Sequence, residues 1–414
     1  MTTIRPWRVT LQGAAALAAA MGVGRFVYTP ILPLMHAQAG LTVQLGSTLA
    51  TANYVGYLVG ALTGIAVPRA VRSRSVLRVS LVVIIATLAL MPTTHSAAVW
   101  ITLRLLAGIA SALVFVIAVS AVLTTLRTHG QHLTGWAFGG VGAGIALSGV
   151  LVLALRGSDS WRQAWWLAAV LSLVLAIPAW MLRTDDVNDV DDVPTITAPM
   201  PEAPRGRPSK HFAALFIAYS LEGIGYIIAG TFLVAAIDQS APRWAGTGAW
   251  VLAGLAALPS SALWAWLSRI WSRPTLLIAA LVVQAIGIAL PALVGGIGPA
   301  LVSAAAFGAT FVGISTLTLA TGAHLGTPRA VAILTTGYSV GQITGPLLVT
   351  PLLRNGYHEA LLIAGAILLV AAGTAGVTRH RFPHHLGPLP SRVHDGHADG
   401  GRITRIAEIV GGRG

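Results

Sequence analysis

Long apolar stretches dominate this chain and constrain its fold more than any other feature. Hydrophobic residues make up 55% of the 414 residues and charged residues only 9%, whereas soluble domains carry about 25% charged residues. A stretch of about 20 apolar residues can cross a lipid bilayer as a helix. The stretches are apolar on all sides and lack the alternation of a membrane β-barrel, so the sequence predicts an all-α membrane protein.

The apolar stretches predict twelve transmembrane helices, six in each half of the chain. Every span must be helical because an unpaired backbone group in lipid is energetically costly. The predicted spans cover about residues 10–36, 43–67, 76–94, 97–125, 132–155, 161–182, 211–236, 246–271, 275–294, 297–322, 329–353 and 357–377.

The distribution of basic residues predicts the orientation of these spans. Twenty Lys and Arg residues fall on the side that holds both termini, and only four on the other side. Cytoplasmic segments of membrane proteins are enriched in Lys and Arg. We therefore expect both termini in the cytoplasm.

Two segments outside the spans differ from the rest. Residues 183–210 contain five aspartates followed by five prolines, a composition that predicts a solvated linker. Residues 378–414 are basic and contain five irregularly spaced histidines, which predicts a flexible cytoplasmic tail rather than a metal site. The expected organisation is a bundle over 1–182, the linker, a second bundle over 211–377 and the tail.

The two halves of the chain begin alike. Residues 22–30 read GVGRFVYTP and residues 223–231 read GIGYIIAGT, and each lies in the first apolar stretch of its half. Internal repeats in membrane proteins are typical of secondary transporters, whose substrate binds near the membrane midplane between two related bundles. The repeat therefore predicts a transporter.

Three charged residues fall well inside predicted spans: Arg25, Arg104 and Glu222. A charge at bilayer depth costs about 2.5–3.5 kcal/mol even on mild scales, so it persists where it meets a partner or a water-filled cavity. A structural ion pair or, for Arg104, a side chain reaching the membrane interface is the alternative. We predict that Arg25 binds substrate and that Glu222 carries a coupling proton.

Glycines and prolines beside Arg25 predict an interrupted first span. Two glycines precede Arg25, and Pro30 and Pro33 follow it. An interruption would free backbone groups to bind a ligand. The glycines predicted to pack closely or unwind in the two repeats are Gly22, Gly24, Gly223 and Gly225.

Several local motifs resemble those of the major facilitator superfamily. Residues 104–112 are similar to its Arg-x-x-Gln-Gly-x-Gly-Ala motif, with Ala107 in place of glutamine. The basic loop at 68–74 stands where the superfamily has Asp-Arg-x-Gly-Arg, but it lacks the aspartate and the glycine. Gly-x-x-x-Gly-Pro motifs are matched by Gly140 and Gly144 in the fifth span and by Gly341, Gly345 and Pro346 in the eleventh.

Residues 22–35 resemble the first-span signature of the YbfB/YjiJ-type branch of this superfamily, a group of bacterial inner-membrane permeases. Residues 223–228 resemble the branch's seventh span. The resemblance covers residues 10–377. It implies two pseudo-symmetric six-helix bundles, a transport function and a place in the bacterial cytoplasmic membrane.

In the superfamily, spans one, four, seven and ten line the substrate cavity, so the resemblance implies that the buried charges converge there. The predicted substrate-binding residues are Arg25, Tyr28, Arg104, Tyr226 and Gln342, with Glu222 for proton coupling. The predicted packing or gating residues are Gly22, Gly24, Gly140, Gly144, Gly223, Gly225, Gly341, Gly345 and Pro346. Asn53, Tyr54 and Tyr57 in the second span are equally compatible with packing and with substrate contact.

The sequence gives no sign of catalysis, cofactors or nucleic-acid binding. Cysteine is absent, which excludes disulfides and thiol chemistry, and no phosphate-binding loop occurs. The net charge of +13 is spread over short spacers instead of one basic face. We therefore expect no enzyme activity, no cofactor and no metal.

Three functions stay open at this level. The leading one is secondary active transport of a small organic solute by a proton-coupled, monomeric protein in the lipid bilayer. The second is uniport of an organic anion, or its exchange, without proton movement. The third, a non-transporting sensor or scaffold, is disfavoured because buried charges would then cost stability without benefit.

Overall fold

The structure is a computed structural model that describes residues 6–126, 131–155, 161–184, 210–242, 244–325, 327 and 330–379. Within these ranges the chain forms helices joined by short turns, and no β-strand occurs among them. The all-α fold is therefore confirmed. Most of the predicted linker and tail lies outside the described residues, so the boundaries of the bundles, linker and tail stay predictions.

The described helices follow the predicted spans closely. In chain order they are α1 (Pro6–Leu17), a π-helical segment (Ala18–Val23), α2 (Tyr28–Gln38), α3 (Val43–Ala66), α4 (Pro68–Val71), α5 (Arg74–Leu90), a 3-10 turn (Met91–Thr93), α6 (Ala97–Thr125), α7 (Gln131–Ala154), α8 (Trp161–Ala179), α9 (Lys210–Ser240), α10 (Trp244–Leu267), α11 (Arg273–Leu293), α12 (Ile297–His324), α13 (Ala330–Val349), a 3-10 turn (Leu352–Asn355) and α14 (His358–Arg379).

Ten of the described helical stretches are long and apolar enough to cross a membrane. The first, Pro6–Gln38, combines α1, the π-helical segment and α2. The two remaining long helices, α3 and α13, carry buried polar residues such as Asn53 and Gln342 and pack against each other. Together these helices account for the twelve predicted spans.

The two halves repeat the same helix contacts. In the first half, α3 packs on α6, α1 on α7 and α5 on α8. In the second half, α10 packs on α12, α9 on α13 and α11 on α14. These pairs correspond when the six spans of each half are matched in chain order, as expected for two related bundles.

Contacts between the halves have the same symmetry. The contact of α7 with α10 corresponds to that of α3 with α13, and α2 packs on α9. We call the side where α8 ends and α9 begins the linker side. The opposite side, which holds the turns between α2 and α3 and between α13 and α14, is the distal side.

The first span is interrupted at its glycines, upstream of both prolines. Residues Ala18–Val23 are π-helical, and a turn at residues 24–27 follows before α2 begins. Pro30 lies in the first turn of α2, where a missing N–H leaves no helical hydrogen bond unmade, and the helix continues through Pro33. The counterpart α9 is continuous despite Gly223 and Gly225.

Glycines of the fifth and eleventh spans hold helices close within each half. A Cβ on Gly140 or Gly144 would collide with backbone atoms of Ala14 or Ala18. A larger residue at any of these positions would force two helices of one bundle apart. Other close approaches within a half are those of Gly22 to Gly144, Gly24 to Ile84, Gly223 to Tyr338, Gly225 to Leu368, Gly341 to Ser220 and Gly345 to Ile227.

Different glycines make the close contact between the halves. A Cβ on Gly142 would meet the backbone at Ala257 and Leu258 of α10, and one on Gly254 would meet Ala146 of α7. A Cβ on Gly139 would meet the carbonyl oxygen of Leu258 at 2.6 Å. The contact between α7 and α10 is thus backbone against backbone.

Candidate functional site

Arg25 is buried where the two halves meet. It lies in the turn between the π-helical segment and α2 and is only 2% exposed. Its Nη2 donates a hydrogen bond to Oε1 of Gln342 on α13. Its Cζ lies 4.3 Å from the centre of the Tyr57 ring and 5.0 Å from that of Tyr54. Among the described residues no carboxylate pairs with this guanidinium.

Arg104 supports the turn that carries Arg25. Its two terminal nitrogens donate to the carbonyl oxygens of Gly24 at 3.4 Å and Arg25 at 3.3 Å. The interruption of the first span frees these carbonyls from helical bonding. Arg104 also lies 4.8 Å from the centre of the Tyr28 ring, whose hydroxyl donates to Gly46. The freed carbonyls are therefore used within the first half rather than left for a ligand.

Rings of the second half continue the aromatic surroundings of Arg25. Tyr226 on α9 stacks on Tyr338 at a centroid distance of 5.4 Å and on Phe311 at 5.9 Å. Phe26, which follows Arg25, meets Phe311 edge-on at 6.1 Å. The rings thus form a continuous apolar surface across the junction of the halves.

Glu222 does not face either arginine. It is fully buried on α9, and its carboxyl group faces the side-chain amide of Gln284 on α11, also fully buried. Neither Glu222 oxygen has a hydrogen-bond partner in the described part of the chain, and Gln284 is likewise unpaired there. Tyr226 and Tyr338, which lie near Arg25, are also neighbours of Glu222. The convergence of Arg25, Arg104 and Glu222 on one cavity therefore stays a prediction.

Polar contacts close the distal side between the halves. The hydroxyl of Thr29 donates to the carbonyl oxygen of Gly230, and the hydroxyls of Tyr54 and Thr231 lie 2.7 Å apart. Further out, Ser47 donates to the carbonyl oxygen of Pro346 at 3.3 Å and lies 2.6 Å from the Thr350 hydroxyl, and Tyr357 lies 3.3 Å from His36. Each contact joins a residue of the first half to one of the second.

The structure brings together three of the five predicted substrate-binding residues. Arg25, Gln342 and Tyr226 share the junction, whereas Tyr28 and Arg104 lie behind Arg25 within the first half. Sequence reasoning missed the second-half rings and Gln284. Two features of the sequence could have indicated them. One is a pair of phenylalanines one helical turn apart, and the other is a single amide side chain inside an apolar span. The missed residues are Trp250, Gln284, Phe307, Phe311 and Tyr338.

A second arginine–aromatic pair lies on the outer surface. Arg78 on α5 has its Cζ 5.1 Å from the Trp180 ring. The pair borders an open groove of about 370 Å³ whose lining includes the exposed Val79 and Val82. Arg25 is buried between the halves and Arg78 is not. Substitutions of Arg78 and Trp180 can therefore serve as controls for substitutions of Arg25 and of the rings beside it.

Comparison with known proteins adds a family and a fold. A family model described as "Uncharacterised MFS-type transporter YbfB" matches residues 17–375. No curated protein matches the sequence. Solved structures of the nucleoside transporter NupG match with a TM-score of 0.65, at 13% identity for one and 15% for a single-residue mutant. Both cover 90% of this chain and 99% of the matched chain, and at such identity they show the fold alone.

Proposed function

The chain belongs to the YbfB family of major facilitator superfamily transporters, and we propose that it moves a small organic anion through a site between its halves, coupled to protons. Family and fold make it a multi-pass membrane transporter and not an enzyme. The proposal that the substrate is an anion rests on one observation. Arg25 is a buried cation at the junction of the halves, and its one side-chain hydrogen-bond partner among the described residues is the neutral Gln342.

The charge of Arg25 is only partly compensated within the described residues. Each aromatic ring beside a cation contributes about 0.5–2 kcal/mol, and the Gln342 amide supplies one neutral acceptor. A carboxylate or phosphate offers two charged acceptors to the planar guanidinium fork. A substrate anion would therefore gain more at Arg25 than a neutral solute of the same shape.

In this proposal alternating access uses the polar contacts of the distal side. Opening them would expose Arg25 to that side, and closing them returns it to the junction. We propose that both termini are cytoplasmic, so that the distal side faces outward. In this proposal residues 1–182 and 211–377 are the two moving bundles, the linker 183–210 and tail 378–414 are cytoplasmic, and the protein acts as a monomer.

We assign proton coupling to Glu222, with Gln284 as its partner. A protonated carboxyl group and a primary amide are complementary, because the acid O–H donates to the amide oxygen while the amide N–H donates to the acid carbonyl. An ionised carboxylate could accept only from the amide N–H of Gln284, and no cation faces it among the described residues. Tyr226 follows Glu222 by four residues on α9, so movement of this helix would connect the two sites.

Transport by purified protein in liposomes tests the proposal. Arg25→Ala should lower kcat/KM for an organic anion by about 100-fold, because truncating one partner of a buried charge contact costs about 2–5 kcal/mol. Arg25→Lys should retain little transport activity, since lysine lacks the planar guanidinium group. Arg78→Gln is the matched control. Normal transport by the alanine variant would contradict the role of Arg25.

Glu222→Gln separates proton coupling from uniport or exchange. The glutamine variant should still exchange substrate across the membrane but lose accumulation driven by a pH gradient. If pH-driven accumulation persists, Glu222 is not the coupling group. If exchange is lost together with thermal stability, Glu222 is structural instead, as for a buried group that holds helices together.

A further inference from the structure

Aromatic rings surround Arg25 from both halves of the molecule. In the first half, the ring centres of Tyr57, Tyr54 and Phe26 lie 4.3, 5.0 and 5.4 Å from the Arg25 Cζ. Tyr226 of the second half is 2% exposed and also lies near Arg25. A group bound to Arg25 would therefore have rings on both sides.

The second-half rings share one orientation. The Tyr226 plane is inclined by 2° to that of Phe311 and by 11° to those of Phe307 and Tyr338. Side chains that only fill a core commonly meet at varied angles, including edge-to-face. A set of nearly parallel rings presents flat faces in one direction, which suits a flat ligand.

Two buried hydrogen-bond donors near this surface lack acceptors. Arg25 Nε and Trp250 Nε1 have no hydrogen-bond partner within the described residues. The Trp250 ring lies 6.4 Å from that of Phe26, which is itself in contact with Arg25. Buried donors without acceptors are costly, so the site has hydrogen bonds to give to an acceptor-rich group.

We propose that the substrate class is a planar aromatic carboxylate, with its carboxylate on Arg25 and its ring between the tyrosines of the two halves. This inference rests on the proposed function, since it places the substrate at the same site. Binding would replace the Gln342 contact of Arg25 by a charged one. It would also draw Tyr54 and Tyr57 toward Tyr226, closing the halves around the ring.

Ligand-dependent thermal stabilisation of the full-length protein in detergent tests the class directly, because a ligand bound by the folded state raises apparent stability. The probes are benzoate and 2-naphthoate. Benzamide removes the charge and keeps the ring, and cyclohexanecarboxylate keeps the charge and removes aromaticity. We expect both aromatic acids to stabilise the protein and both comparison compounds to bind at least tenfold more weakly.

Three outcomes of the probe series would overturn the inference in identifiable ways. Equal stabilisation by cyclohexanecarboxylate would remove the aromatic requirement, and equal stabilisation by benzamide would remove the anionic one. Absence of stabilisation by both aromatic acids would overturn the class as a whole.

Substitutions of Tyr57 and Tyr226 test whether these rings cause the preference for aromatic acids. Tyr57→Leu and Tyr226→Leu should each reduce the preference for benzoate over cyclohexanecarboxylate by about tenfold, whereas Tyr226→Phe should keep it. Trp180→Leu is the control for loss of an aromatic side chain elsewhere. An unchanged preference in both leucine variants would contradict binding of the substrate ring between these tyrosines. Tyr226→Phe keeps the ring, so a normal preference in this variant shows that the preference is lost in Tyr226→Leu through the missing ring and not through misfolding.

Failure of this inference can be told apart from failure of the proposed function. If liposomes accumulate aliphatic anions through Arg25 but show no preference for aromatic ones, the transport function stands and the substrate class fails. If aromatic acids bind with the expected preference and no anion is moved, the binding class stands and the transport proposal fails.

Discussion

Two contacts that correspond by symmetry join the halves of this protein in different ways. Between α7 and α10, glycines such as Gly142 and Gly254 bring backbone against backbone over most of the helix length. Between α3 and α13, the described hydrogen bonds are those of Ser47 to Pro346 and Thr350, near the distal end. One contact is extended and apolar, and the other is local and polar.

The difference indicates which contact can open. Separating α7 from α10 would remove many backbone contacts at once and leave glycine surfaces exposed to lipid. Separating Ser47 from Thr350 exchanges hydroxyl hydrogen bonds for bonds to water, at a net cost of about 1 kcal/mol each. We therefore expect α7 and α10 to act as the pivot and the distal polar contacts to act as the gate.

The largest expected effect comes from locking the gate. The chain contains no cysteine, and the hydroxyl oxygens of Ser47 and Thr350 lie 2.6 Å apart, so Ser47→Cys with Thr350→Cys places two thiols in reach of a disulfide. Oxidation should abolish transport and reduction should restore it. Transport is measured in liposomes with and without reductant.

The matched crosslink lies at the pivot. A Cβ on Gly135 would lie 3.1 Å from the Cβ of Ala262, so Gly135→Cys with Ala262→Cys joins α7 to α10. This crosslink should leave most transport intact if the helices stay together. Complete inhibition by the pivot crosslink would contradict the division into pivot and gate.

The second effect is loss of stability at the pivot. Gly142→Leu should destabilise the protein by about 3 kcal/mol or more, because the side chain meets α10 backbone that cannot move aside. Thermal unfolding and size-exclusion chromatography in detergent measure it. Gly373→Leu on α14 is the control, since no atom lies within 4 Å of a Cβ there. Similar stability of the two variants would contradict close packing at the pivot.

A smaller effect is expected from one hydroxyl of the gate. Tyr54→Phe removes the contact with Thr231, whose hydroxyl still donates to the carbonyl oxygen of Ile227. The change should favour opening by about 1 kcal/mol, or about fivefold. Hydrogen exchange of α2 and α9 measures the opening. Tyr28→Phe removes a hydroxyl contact inside the first half and should leave that opening unchanged.

The smallest effect concerns acidification at the distal edge. His36 Nδ1 lies 2.6 Å from the carbonyl oxygen of Leu41, which makes it the donor and leaves Nε2 to accept from the Tyr357 hydroxyl at 3.3 Å. A protonated imidazole only donates, so the Tyr357 hydroxyl must turn from donor to acceptor, and we expect low pH to weaken this contact and open the gate about twofold more often. Tyr357→Phe should remove that pH dependence of α2 exchange. The same pH response in the variant would exclude the pair.

The fold could be predicted from the sequence because only a few backbone structures can span a lipid bilayer. Apolar length alone placed α6 at its observed bounds, Ala97–Thr125, and the glycines before Arg25 correctly marked an interruption. The prolines Pro30 and Pro33 were also expected to break this span, but both lie within the continuous α2. Helix ends were less certain: the eighth span was expected to reach residue 271, but α10 ends at Leu267. Hydropathy does not distinguish the last turn of a helix from the apolar residues of the turn after it.

The partners of the buried charges could not be predicted. Spans that are apolar on all sides give no sign of which face meets which neighbour. Arg25 and Gln342 are 317 residues apart in the chain, and only packing brings them together. Glu222 and Tyr226 lie one turn apart on α9, and nothing in the sequence indicates that Glu222 also faces Gln284 of α11. The family resemblance correctly indicated the fold but not these orientations.

The π-helical segment makes the two repeats unequal. A π-helical turn holds about one residue more than an α-helical turn, and one extra residue rotates everything that follows by about 100° about the helix axis. The first span contains such a turn and α9, its copy, does not. Two halves with related sequences therefore differ in the local geometry of their first helix. In this chain the corresponding residues Arg25 and Tyr226 both reach the junction, one from an interrupted helix and the other from a continuous one.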